Sequence, residues 1–236
     1  MVSFDYSVVK HYKFYGFVKK VFGPIFRAVY KLEFHGLENV PQDKNVRYIV
    51  AVNHTCALDP VFASMPKNVP PLHFMAKVEL FKNPIVGWVV KHLYGFPGKR
   101  GKGDTSAIDY GEKIIKEGHV MAICPEGRRV KDKNGVPQRA KSGVAVIAKA
   151  TNASVLPCAI YCDGPIKPGK KVVVTYGKLL SLSDMGLDKE ECGPHDIKDA
   201  ANKVMGSILI FGRLRLNERD KACRNGRILF WRKQSG

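Results

Sequence analysis

The stretch Asn53-His54-Thr55-Cys56-Ala57-Leu58-Asp59-Pro60 follows a short apolar run and brings an imidazole within reach of a carboxylate. A histidine held by a carboxylate at one ring nitrogen keeps the other as a base. On one continuous helix, residues five apart lie about 140° from each other, so the two side chains meet only if His54 sits on the turn leading into the helix of Asp59. Asp59 before Pro60 is also the pattern of an N-cap followed by a first-turn proline, and capping and orienting His54 are compatible roles. Cys56 lies two residues from His54, where side chains diverge or run parallel, which argues against a thiol nucleophile.

Two further loops carry charge at the end of apolar stretches. Ile123-Cys124-Pro125-Glu126-Gly127-Arg128-Arg129 presents a carboxylate, a turn-forming glycine and two guanidiniums able to meet a phosphate, solvated arginines on a turn being the plain alternative. Loop 95–103 sets three cations among four glycines, Gly95, Gly98, Gly101 and Gly103. It also suits a phosphate, but lacks the GxxxxGK[ST] spacing of a nucleoside triphosphate site.

A scaffold must hold these loops. Runs 47–52, 72–76, 119–124, 155–161 and 171–176 are rich in β-branched and aromatic residues and read as strands, while 78–91, 105–117, 140–151 and 196–215 have helical length and composition. The alternation implies an α/β fold, with a mixed, largely parallel central sheet flanked by helices. His54 and Glu126 then fall at the carboxyl edge of the sheet, where such folds place their sites. Ahead of the body, Phe14, Phe17, Val18, Val21, Phe22, Ile25, Val29 and Leu32 recur at helical spacing, opposite Lys13, Lys20 and Arg27. Pro24 after Gly23 is expected to divide this stretch into two short helices, an amphipathic hairpin. An aromatic-rich apolar face beside a basic one suits a membrane interface; a helix docked on its own domain is the alternative. The expected division is residues 1–33 for membrane association and 34–236 for the α/β domain with its basic C-terminal helix and tail.

Asn53-His54 with Asp59 matches the NHxxxxD block of the glycerolipid acyltransferases, the 1-acylglycerol-3-phosphate acyltransferase group, and Pro125-Glu126-Gly127 with Arg129 matches their PEGxR block. Ala76-Lys77, Glu79-Leu80-Phe81, Pro84 and Gly87 resemble the AKxELFxxPxxG segment, Arg100-Gly101 the arginine block, and Val155-Leu156-Pro157 the proline-containing fourth block. Cys56 stands where the family usually has serine and Arg128 where it usually has threonine, and Pro97-Gly98-Lys99 is an unusual lead-in to Arg100. The resemblance implies acyl transfer from an acyl thioester, acyl-CoA or acyl carrier protein, to the hydroxyl of a lysophospholipid, with His54 as base and Asp59 orienting it. It further implies a glycerol-phosphate pocket of Arg100, Glu126, Gly127 and Arg129, with Lys77 as another phosphate contact, and neither a metal nor a bound cofactor. An alcohol is a weak nucleophile at neutral pH, so direct attack on a thioester calls for such a base.

Thirty-nine Lys and Arg against 21 Asp and Glu give a net charge of +18 on 236 residues, of which 45% are hydrophobic. So apolar a chain folds rather than staying disordered, and so basic a one has an anionic partner. The excess sits in 1–31, 91–149 and 197–236. In the first block the aromatics lie away from the cations, which suits an anionic lipid surface better than stacked bases, so no nucleic acid is expected. Six cysteines without a CxxC pair read as reduced thiols rather than a disulfide framework or zinc site, placing the protein at the cytoplasmic face of the membrane.

Overall fold

The computed structural model describes residues 4–9, 12–98, 105–127 and 140–224, with 212–224 described by their backbone alone. Seven strands form one sheet: β1 (Glu33–His35), β2 (Tyr48–Val52), β3 (Leu72–Lys77), β4 (Gly95–Gly98), β5 (Val120–Ile123), β6 (Ser154–Cys162) and β7 (Val172–Tyr176). Their spatial order is β1-β7-β6-β2-β5-β3-β4. The block from β6 to β4 is parallel throughout; β7 runs antiparallel to β6, and β1 runs parallel to β7. The sheet is thus mixed and largely parallel, and β2, β3, β4, β5 and β6 all end at one edge.

Helices cover both faces. They are α1 (Lys13–Val29), α2 (Asp59–Ser64), α3 (Pro84–His92), α4 (Thr105–Lys116), α5 (Gly143–Thr151), α6 (Leu182–Met185) and α7 (Pro194–Arg224). Strand β2, Tyr-Ile-Val-Ala-Val, shows why a central parallel strand reads as unbroken apolar sequence. Ile49 and Ala51 enter the core with Ile114, Ile147 and Val204 of α4, α5 and α7, while Tyr48, Val50 and Val52 enter the opposite core with Phe62 of α2.

Three expectations change. Residues 13–29 form one helix running through Pro24, not a hairpin of two. Proline inside a helix forfeits a hydrogen bond at a cost of about 3 kcal/mol, and here the helix is anchored on both sides of it. Gly23 is buried near the Met65 sulfur, Lys19 donates to the carbonyls of Pro66 and Val69 at 2.8 Å each, and Tyr30 packs edge-on to Phe62 at 5.1 Å. The single helix expected over 78–91 is a 3₁₀ turn, Val78–Lys82, followed by α3. Asn83 precedes a proline and is therefore extended, and its Oδ1 caps the new helix by accepting from the N–H groups of Ile85 and Val86 at 3.0 and 3.1 Å. Finally, β1 and β4 are strands that residue patterning does not signal. Gly95-Phe96-Pro97-Gly98 reads as a loop, and becomes a strand by pairing with β3 at the sheet edge, where proline is tolerated.

Candidate active site

At the end of β2 the side chain of Asn53 takes over the ladder. Its Oδ1 accepts the N–H of Ile160 in β6 at 2.7 Å, and its Nδ2 donates to the carbonyl of the same residue at 2.9 Å. The residue that follows, His54, is thereby held at the carboxyl edge of the sheet on the turn before α2.

Asp59 is the first residue of α2 and is 0% exposed. Its Oδ2 accepts the N–H groups of Thr55 and Cys56 at 2.7 and 2.8 Å and faces Nδ1 of His54 at 3.0 Å. Its Oδ1 accepts from the Thr55 hydroxyl at 2.7 Å and from the Cys56 thiol at 3.4 Å. The carboxylate therefore folds back into loop 54–56. Leu58 is the cap residue of α2 and makes no side-chain cap, so capping by Asp59 is not realised. With an acceptor facing Nδ1, the neutral ring carries its proton there and leaves the Nε2 lone pair available. The His54 side chain is 16% exposed, so the ring is reachable from outside.

Glu126 comes from the other side. It follows β5, the neighbour of β2, is 4% exposed, and its Oε1 accepts the backbone N–H of His54 at 3.2 Å. Its Oε2 is buried without a hydrogen-bond partner among the described residues. Burial pushes the carboxyl above the usual carboxylate range, opposed by the hydrogen bond from His54. Gly127 closes this turn at φ +67°, in the left-handed region that favours glycine, with its N–H donating to the Cys124 carbonyl at 3.0 Å.

His54, Asp59, Glu126 and Gly127 thus share one edge of β2 and β5. Lys77 is exposed at the end of β3 on the same edge, and among the described residues no hydrogen bond joins it to the first three. Arg100 and Arg129 lie outside the described residues. Burial, and then the charge of Asp59, push the Cys56 thiol up to about 11, which keeps it protonated as a donor. The sequence alone gives Thr55 no role and Asn53 none beyond its place in the matched block; the one signal is a polar pair flanking the histidine directly after an apolar run.

The family model described as Acyltransferase matches residues 31–161, more than half of the chain. The chain belongs to the acyltransferase family. The matched segment contains the His54–Asp59 loop and the Glu126 turn, so the candidate site lies wholly inside the family region. It is 29% identical over 178 residues to the 1-acyl-sn-glycerol-3-phosphate acyltransferase of Streptococcus pneumoniae, covering 72% of this chain and 62% of the relative. It is 30% identical over 128 residues to the enzyme of the same description from Bacillus subtilis, covering 54% of this chain and 61% of the relative. The chain therefore spans less than two thirds of either relative. In fold it is similar to the 1-acyl-sn-glycerophosphate (LPA) acyltransferase of Thermotoga maritima, with a TM-score of 0.60 at 22% identity, covering 80% of this chain and 76% of that one.

Proposed function

We propose that this acyltransferase moves a fatty acyl group from an acyl thioester, acyl-CoA or acyl carrier protein, to the sn-2 hydroxyl of 1-acyl-glycerol-3-phosphate, giving phosphatidic acid. The observation that carries the reading is the contact of His54 Nδ1 with the fully buried Asp59 at 3.0 Å, which orients Nε2 as a base. The relatives that are 29% and 30% identical to this chain bear the corresponding name.

Nε2 of His54 takes the proton of the acceptor hydroxyl as its oxygen attacks the thioester carbonyl. The C–O bond forms, the C–S bond breaks, and the proton on Nε2 passes to the departing thiolate, so no covalent enzyme intermediate is needed. Arg100, Arg129, Gly127 and Lys77 receive the glycerol-phosphate group, where guanidiniums suit a phosphate bidentately. Glu126 belongs to the same pocket and also supports the His54 amide.

The enzyme works at an anionic membrane surface on the cytoplasmic face, with residues 1–33 providing the attachment. No helix among the described residues is long and apolar enough to cross a membrane. Purified protein given lysophosphatidic acid with acyl-CoA, and in parallel with acyl carrier protein, should release thiol only when the acceptor is present. His54→Ala should abolish that release. Acceptor-independent release, or full activity without the imidazole, would overturn the assignment.

A further inference from the structure

We propose that the membrane-docking surface is composite: the outward apolar stripe of α1 continues onto α3, and the two helices lie together on an anionic bilayer with Trp88 as an interfacial anchor. This rests on the functional reading above and adds to it a second helix, drawn from within the α/β domain.

The orientation of α1 carries the first step. A helix docked on a soluble body turns its apolar stripe inward. Here most of the stripe lies outside. The inward side carries Tyr15, Gly23, Phe26, which packs against the core, and Lys19, whose ammonium is bonded to two carbonyls of the loop after α2. Phe17, Val21 and Ile25 face outward, Phe17 being 58% exposed.

The stripe does not stop at α1. Phe14 packs edge-on to Trp88 of α3 with ring centroids 5.0 Å apart. On α3, Gly87 is the buried residue, lying against the 3₁₀ turn, while Ile85, Trp88 and Val89 are 76%, 49% and 38% exposed. An apolar surface this continuous on a soluble chain marks a partner.

Charge selects the partner. Lys13, Lys20 and Arg27 on α1 are exposed, as is Lys82 just before α3. Cations bordering an apolar face with a tryptophan at its margin fit the headgroup and upper acyl region of an anionic leaflet. Position agrees with this. The 3₁₀ turn leading to α3 starts directly after Lys77, at the edge of the sheet that holds His54, and α1 packs against α2 and the loop that follows it, the helix that begins with Asp59. A lipid acceptor would therefore leave the bilayer beside the site that uses it.

The test uses full-length variants. Vesicles of phosphatidylcholine with phosphatidylglycerol are co-sedimented with wild type, with Phe17→Ser/Ile25→Ser on α1, and with Ile85→Ser/Trp88→Ser on α3, after circular dichroism has shown each to be folded. Both pairs should weaken binding at least about tenfold, since each withdraws two large apolar side chains from the interface. In a folded Trp231→Phe background, Trp88 emission should shift to the blue on anionic vesicles and be quenched by brominated acyl chains. Unchanged binding of the α3 variant, or Trp88 emission unaltered in bound protein, would overturn the inference while leaving α1 as the attachment. Absence of vesicle binding by wild type would remove the membrane reading itself. A dimer that the α3 variant splits into monomers, with vesicle binding unaffected, would assign the patch to a second copy of the chain and also overturn the inference.

Discussion

Glu126 accepts the backbone N–H of His54 at 3.2 Å, joining two turns 72 residues apart through one side chain. The bond runs from the turn after β5 to the turn after β2, so His54 is positioned from both sides: Asp59 holds its ring and Glu126 holds its backbone.

A glutamine at this position can still accept that N–H. Glu126→Gln is expected to keep kcat/KM within about tenfold, whereas Glu126→Ala, which leaves a buried donor unsatisfied at about 1–3 kcal/mol, should cost roughly ten- to a hundredfold. Steady-state thiol release on the two variants checks this. Equal losses would place the role in the carboxylate's charge.

The same carboxyl gives a pH signature. Its folded pKa is raised by burial, so between the ordinary carboxylate value and the raised one the native state binds more protons than the unfolded. Its contribution to stability is present below that window and is lost as pH rises through it. Denaturant titrations should show the stability of wild type falling, relative to Glu126→Gln, as pH rises above the ordinary carboxylate value.

Asp59→Asn preserves shape, but its NH₂ meets either the backbone N–H groups of Thr55 and Cys56, which can only donate, or the Thr55 hydroxyl, and its remaining oxygen cannot serve all the donors that the carboxylate accepts. The variant should lose about 1–3 kcal/mol of stability as well as about 10²–10⁴ in kcat, the range of a general-base contribution. Chemical denaturation and turnover measured on the same preparation test both parts.

Cys56→Ser replaces a thiol donor to Asp59 with a hydroxyl donor and should retain activity within a few-fold. With its thiol pushed up to about 11, Cys56 should be alkylated slowly at neutral pH and faster toward that value. Activity lost more than about a hundredfold in the serine variant would contradict direct attack by the acceptor hydroxyl.

Burial lowers the Lys19 ammonium to about 8. The unfolded lysine, with a pKa near 10.5, holds its proton where the folded one has begun to release it. This group's contribution to stability therefore rises as pH climbs from about 8 to 10.5. Relative to Lys19→Met, wild type should gain stability over that interval, measured by chemical denaturation.

Much of this was legible beforehand because it is local. The apolar runs that became β2, β5, β6 and β7 were recognisable as strands since burial on both faces demands near-continuous apolar sequence, and His54 and Asp59 stood out because a turn into a helix is a short-range event. Strand β4 was not legible, since a Gly-Phe-Pro-Gly segment has no strand preference of its own and is extended only by its pairing with β3. Nor was the role of Asn53, whose partner Ile160 is 107 residues away.

By itself the sequence determined that the sheet is largely parallel, that His54 and Asp59 stand at a turn into a helix, and that α1 is amphipathic. Only the tertiary structure decided which way α1 turns. Helical periodicity shows that one side is apolar but not what lies against it. That depended on the Lys19 ammonium finding two carbonyls and on Tyr15, Gly23 and Phe26 facing the body, which left Phe17, Val21, Phe22 and Ile25 outside. Tertiary packing likewise decided what joins this local loop to the rest of the site: Asn53 ties the end of β2 to β6, and Glu126 reaches the His54 amide from the turn after β5, partners 107 and 72 residues apart in sequence.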